Sequence, residues 1–369
     1  MRQSRQAALR AALGWDVRGD PTPGDEPRQD VRARGGGGAD PRAEGRPPRR
    51  PRAVIGPGDQ IFRTGARTAG MAVLATTGAV GLFLFIRAFL ALRVEKFKFL
   101  TTQAWNPDIH RFGVAAILPG TVFIALVAVC LSTPLAVGTA LFISEIAPPR
   151  VKQLLTSLVD LMFAIPSVVY GLWGLFFFQG HVIGVARWIT TFFGWIPIFK
   201  VSGYNAHNPL GTASVLTAST FIAGLVVGLM IAPIQCSLMR EVFSQAPAGE
   251  REGALALGAT RWGMIRTVVL PFGKGGMIGA TMLALGRALG ETVAVYLIIS
   301  PIFKLNIHIL QHGAISVSSL IALRYSEASG FGLSALFAAG LALFALTLAI
   351  NFGAATVISR SRSGAESDV

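Results

Sequence analysis

Polar positions thin out after residue 67, and six long apolar stretches follow at 69–92, 115–144, 154–178, 213–237, 275–300 and 333–358. Each is long enough for the roughly 20 apolar residues that carry a helix across a bilayer. In lipid, such a segment must satisfy its backbone groups internally. The pattern therefore predicts an all-α, polytopic chain with six transmembrane helices. Only Glu145-Ile-Ala-Pro-Pro-Arg-Val-Lys152 separates the second stretch from the third. Pro148 and Pro149 remove two backbone donors there, which predicts a tight turn at the membrane surface. Glycines four apart (Gly224 and Gly228, Gly275 and Gly279, Gly286 and Gly290) predict close helix packing. The stretch 179–212, with Trp188 and Trp195, reads as interfacial loop.

Composition agrees with this pattern. Of the 369 residues 52% are hydrophobic and 14% are charged, against about a quarter charged in soluble domains. The net charge of +14 could suggest a nucleic-acid partner, but the charge lies outside the apolar runs, so none is expected. Residues 1–67 contain 14 arginines, no lysine, eight acids and eight of the 20 prolines. With so few apolar groups, this segment is expected to be a disordered Arg/Gly/Pro-rich tail whose basic side chains can meet anionic membrane lipid. It lacks the apolar core of a signal peptide, and its acids argue against a transit peptide. The expected organisation is the tail 1–67, a six-helix membrane domain 68–358 and a second tail 359–369.

Lys and Arg near the spans set orientation. With the N-terminus inside, 23 of the 33 basic residues fall inside and eight outside. The reading is N-in and C-in, in the cell membrane. Cys130 and Cys236 are too few and too far apart for a disulfide framework. His308 and His312 lack a third ligand, so no metal site is expected. Lys274 is followed by Gly275, not by the Ser or Thr of a phosphate-cradling loop. No Gly-x-Ser-x-Gly element is present. The chain is not expected to be an enzyme or to hold a cofactor, and any ATP is expected on another polypeptide.

The loop 238–274 is the most informative stretch. Residues 250–257 suit a short helix with acids in its first turn, and Gly258 suits its end. A second amphipathic segment follows, with Trp262, Ile265, Val268 and Val269 on its apolar side, closed by Pro271. Two short helices joined at a glycine make a docking knob, and an amphipathic linker lying on the bilayer fits the same periodicity. At Glu252-Gly253-Ala254, three residues, Gly258, nine residues, Val268, one residue, Leu270-Pro271, the chain resembles the permease subunits of ABC importers. Gly253 replaces the family's first Ala and Val268 its Ile. The resemblance implies the type I (MetI-like) bundle and makes this loop the coupling helix. It puts the ATPase contact on Glu252, Gly253, Ala254, Gly258 and Trp262, up to Leu270 and Pro271.

Three further stretches narrow the resemblance. They are Phe99 to Trp105-Asn106-Pro107, then Pro166-Ser167-Val-Val-Tyr170-Gly171-Leu-Trp173-Gly174, and Gly286-Arg287-Ala-Leu-Gly290-Glu291-Thr292. Together they look like phosphate importer permeases of the PstC type over residues 69–358. The resemblance implies a homologous permease partner of the PstA type, a cytoplasmic ATPase dimer and an extracytoplasmic phosphate-binding protein. Arg287 and Glu291 stand one helical turn apart, and charges at membrane depth are costly unless they face the bundle interior or a water-filled path. They are the expected substrate pathway, with a structural pair as the alternative. Pro166, Ser167 and Tyr170 form the expected kink or gate, Ser167 re-satisfying backbone that Pro166 leaves open. By residue chemistry alone another oxyanion, sulfate or molybdate, fits one arginine equally well. A stand-alone secondary transporter is the other alternative, opposed by the docking loop.

Overall fold

The computed structural model describes residues 56–205, 214–328 and 330–362. The expected disorder of 1–55 and the tail from 363 on lie outside the described residues. The chain divides into two units, Met1–Thr64 and Gly65–Val369. Of the first, only the segment from Gly56 is described. It begins α1 (Pro57–Glu95), with Pro57 in the first turn and Asp59 beside the helix N-terminus. Helix thus begins ten residues before the expected end of the disordered tail at 67, because a proline is well placed at a helix start and none follows it before residue 95.

The second unit is helical. α2 (Ile117–Leu141) continues through a π turn, Phe142–Ile146. α3 is Pro149–Ala164, and α4 (Ser167–Trp173) runs through a second π turn at Gly174–Phe178 into α5 (Gln179–Phe193). α6 spans Thr220–Ser244, and Ser219 Oγ caps it by accepting the Ile222 N–H at 3.4 Å. α7 (Ala248–Ala256) and α8 (Arg261–Met264) follow, and a third π turn at Ile265–Val269 joins α8 to α9 (Leu270–Gly290). α10 (Val293–Ile298), α11 (Val317–Arg324) and α12 (Phe331–Arg362) complete the order.

Among the described residues, six helical runs are long and apolar enough to cross a membrane: 58–95, 117–146, 167–193, 220–244, 261–290 and 331–356. The first starts 11 residues early and the fourth is shifted by seven towards the C-terminus; two others, the third and the fifth, are displaced further. The third is displaced towards the C-terminus, because the chain breaks at Ile165 and Pro166, both extended, and α3 is a separate helix carrying Lys152, Gln153 and Asp160. Trp188 consequently sits on a span and not in a loop. The fifth starts 14 residues early, at Arg261, and stops at Gly290. Pro271 does not close the loop, since the π turn before it accommodates the proline and lets one helix run through.

The centre of the bundle is α2 against α6. Gly224 lies so close to α2 that a Cβ there would stand 2.6 Å from Val127, and one on Gly228 would meet the Ala128 carbonyl at 2.9 Å. These two glycines act as their spacing predicts, letting helix backbones approach where lipid supplies no hydrophobic drive. On α9 the seats are Gly273, against Phe243, and Gly276, against Val242. Gly279 and Gly290 meet nothing. The core around this contact joins Ile124, Ile222, Val226, Ala284, Ala288 and Ile298.

At the end of the bundle away from the 238–274 loop, Trp105-Asn106 pairs with Arg111-Phe112 in a two-stranded antiparallel ribbon. Trp105, Phe99 and Phe112 are buried, and Phe112 meets Phe331 edge-on with ring centroids 5.4 Å apart. The Trp-Asn-Pro stretch therefore clamps the segment after α1 to the start of α12. His308 and His312 also fasten this end. Their Nδ1–H groups donate to the carbonyls of Pro197 at 2.6 Å and Thr217 at 2.9 Å.

Candidate functional site

The loop 238–274 folds into the knob its sequence suggests. Glu250 lies in the first turn of α7, where a carboxylate complements the helix dipole. The helix ends as a Schellman motif: Gly258 N–H donates to the Leu255 carbonyl at 3.0 Å and Ala259 N–H to the Ala254 carbonyl at 3.1 Å. Gly258 holds φ +88, the left-handed conformation this cap requires. Thr260 then caps α8, its Oγ1 accepting the Gly263 N–H at 3.1 Å.

Glu252, Gly253 and Trp262 are exposed, and Leu257 at the tip is 91% exposed. Ala254 faces the bundle and packs against a buried cluster that contains Met239, Phe243, Met264, Ile265 and Val269. Leu270 is half-buried and Pro271 exposed. Apolar side chains held out on a rigid, capped turn form a surface suited to a partner.

The second element is the break between α3 and α4. Pro166 has no N–H, so the Met162 carbonyl four residues earlier loses its helical partner. Tyr170, one turn into α4 and buried, donates its hydroxyl to that carbonyl at 3.1 Å. Tyr170, and not Ser167, repairs the gap, and Ser167 is half-buried at the first position of α4. The two glycines of the same motif are seats for α10. A Cβ on Gly171 would stand 2.8 Å from Leu297 and 2.9 Å from the Ala294 Cα, and one on Gly174 would stand 2.8 Å from Ile298.

The third element is the end of α9. Glu291 does not continue the helix: it is extended, with φ −65 and ψ 127. Its Oε1 accepts the Ala294 N–H at 3.3 Å in the first turn of α10, and its own carbonyl accepts the Ser318 hydroxyl at 2.6 Å. Glu291 is buried, whereas Arg287 is exposed in the last turn of α9. The expected shared helical face is therefore absent, and no ion pair joins the two among the described residues. The physical reason is local, because the carboxylate is engaged as a cap for the next helix.

These elements converge. α10, which begins two residues after Glu291, packs on Gly171 and Gly174, so the Tyr-Gly-Leu-Trp-Gly stretch and the Gly-Arg-Ala-Leu-Gly-Glu-Thr stretch form one contiguous structure. Ser316, Ser318 and Ser319 lie buried beside it, with Ser316 and Ser319 in a reciprocal capping box at the start of α11. This convergence was not evident in the sequence, where Gly171 and Gly174 enter only as part of the family-like stretch. The one signal was the four-residue interval between Pro166 and the Met162 carbonyl, whose helical donor the proline removes.

Known proteins can be set beside this geometry. The profile of the family described as binding-protein-dependent transport system inner membrane component matches residues 132–363. Phosphate transport system permease protein PstC 2 of Mycobacterium tuberculosis is 37% identical over 312 residues, covering 83% of this chain and 94% of that one. Phosphate transport system permease protein PstC of Mesorhizobium japonicum is 35% identical over 294 residues, covering 79% and 87%. Among solved structures, a chain of a bacterial ABC transporter involved in the import of the acidic polysaccharide alginate matches with a TM-score of 0.50 at 17% identity. That match covers 82% of this chain and 99% of the other, and it is a likeness of fold.

Proposed function

This chain belongs to the family of inner membrane components of binding-protein-dependent transport systems, and on that footing we propose that it is the permease subunit through which an ABC importer moves inorganic phosphate. Multi-pass membrane insertion and the transport class follow from the family and the six spans. The substrate reading is supported by the names of its relatives. The observation that carries the pathway reading is Arg287, a cation exposed on the surface of a membrane-spanning helix. Such a residue is stable only where it meets water or a partner. A cavity shared with a homologous, PstA-type permease supplies both, and the dianion passes there. Glu291, buried behind it, holds the turn into α10.

The knob around Glu252, Gly258 and Trp262 docks on a cytoplasmic ATPase dimer, which binds the ATP. Both termini are cytoplasmic, and an extracytoplasmic phosphate-binding protein delivers the ion to the opposite end. Switching between outward- and inward-open states requires ATP to bind the two with different affinity.

The test is radiolabelled phosphate uptake by the reconstituted complex, competed with sulfate. ATP-dependent uptake that excess sulfate leaves unchanged is the expected result. Transport by this chain without an ATPase subunit, or uptake abolished by sulfate, overturns the reading. Arg287→Gln is expected to abolish uptake in a complex that still assembles. Loss of assembly would make the residue a packing element.

A further inference from the structure

Arg251, on the inward side of the docking knob, is its polar anchor to the bundle. It stands three residues before Ala254, so both project from one face of α7, while Glu252 and Leu255 face away and are exposed. Its Nη2 lies 3.4 Å from Glu145 Oε1 and also donates to the Phe243 carbonyl. Glu145 sits in the π turn that ends the second span, and Phe243 in the last turn of α6. One guanidinium thus ties three elements that are far apart in sequence.

The surroundings make this contact consequential. The Glu145 side chain is only 4% exposed and that of Arg251 22%. Glu145 Oε1 has no hydrogen-bond partner among the described residues, and neither has Arg251 Nε. A buried carboxylate whose compensation comes from one cation is strongly disfavoured when that cation leaves. A displacement of α7 must therefore either carry the end of the second span with it or strand the charge. The neighbouring packing is apolar and non-directional, Ala254 against the cluster that contains Phe243 and Met264. They allow sliding that the ion pair resists.

We propose that Arg251 and Glu145 form a transmission pair, in which Arg251 positions Glu145 so that movement of the docking knob is passed to the ends of the second and fourth spans. This rests on the knob being the ATPase-docking surface. Cross-linking of a Leu257→Cys variant to the ATPase reads docking separately.

The experiment compares wild type, Arg251→Gln, Arg251→Lys, Glu145→Gln and the double Gln variant in the complete transporter in proteoliposomes. It measures assembly, ATP hydrolysis and uptake per ATP. Each single Gln variant is expected to assemble and hydrolyse ATP while uptake per ATP falls about tenfold, a coupling of ordinary allosteric size. Arg251→Lys is expected to recover part of the loss. The double variant should be no worse than Arg251→Gln alone, because that variant already removes the interaction that Glu145→Gln removes. Unchanged uptake per ATP, losses that multiply in the double variant, or failure of Glu145→Gln to assemble would each overturn the proposal. Cross-linking that fails in the Leu257→Cys variant with Arg251 and Glu145 intact would instead sink the docking assignment.

Discussion

At Gly258 the backbone holds φ +88, and nothing lies within 4 Å of where a Cβ would stand. Conformation, not space, is what excludes other residues there. Left-handed backbone costs an L side chain about 1–2 kcal/mol, Asn being the usual exception. Phosphate-dependent ATPase stimulation should accordingly rank Gly258→Asn above Gly258→Ala and Gly258→Val lowest. Equal activity of all three variants would remove the cap from the argument. Gly171 is the opposite case, because its φ is ordinary and its neighbours are too close. Gly171→Val should therefore destabilise the packing of α10 and lower the thermal midpoint of the complex. Tyr170→Phe leaves the Met162 carbonyl with only the long Ile165 N–H bond at 3.4 Å, a loss of about 0.5–1.5 kcal/mol for one hydrogen bond. It is read as a lower denaturation midpoint with assembly retained. Gly258 was legible in the sequence because helix ends announce themselves with glycine. Gly171 was not, because a seat is defined only by what later packs into it.

The helices show where apolar periodicity stops being informative. Its run 154–178 merged α3 with α4, since both are hydrophobic enough for lipid. What separates them is the missing N–H of Pro166 and the hydroxyl of Tyr170, a pair that hydropathy does not register. The run 275–300 likewise joined α9 to α10 across Glu291, whose side chain turns from span residue to helix cap. The first helix of the knob was legible because its signals are local, acids at its start and Gly258 at its end; Thr260, which caps the next helix, and the run through Pro271 were not. The π turn before Pro271 lies between these cases. The proline was visible, but whether a helix ends or widens around it depends on the packing of Gly273 and Gly276 against α6. Replacing Pro271 by Ala removes the steric cause of the widening. The expected result is retained helical content by circular dichroism with lower uptake per ATP, from a shift in the facing of α9.

For the whole molecule, the exposed surface is the informative property. Phe85, Phe89, Phe176, Phe177 and Phe352 are all exposed, and in water such a surface would aggregate. In a bilayer it is the lipid-facing side. Six spans place the knob and the Trp105-Asn106-Pro107 ribbon on opposite sides of the membrane. With the N-terminus inside, a Leu257→Cys variant should react with an impermeant maleimide only in inside-out vesicles, and Asp108→Cys only in right-side-out ones. The reverse pattern would invert the orientation. The class of protein was legible from the sequence, since composition and span length belong to the chain as a whole. The partner-facing side was not, since Arg287 acquires its meaning only from being exposed in the folded subunit.

The unbroken helix from Arg261 to Gly290 has a mechanical consequence. It approaches α6 at Gly273 and Gly276, and its far half, through Ala284 and Ala288, is packed in the core with Ile222 and Val226 of α6. About 18 Å of helix, at 1.5 Å per residue, runs from Arg261 to Gly273 before the first of these glycines. A rod continuous with the core passes a push on its Trp262 end to its Arg287 end without a hinge. Labels at residues 262 and 290 should keep their mutual separation between nucleotide states.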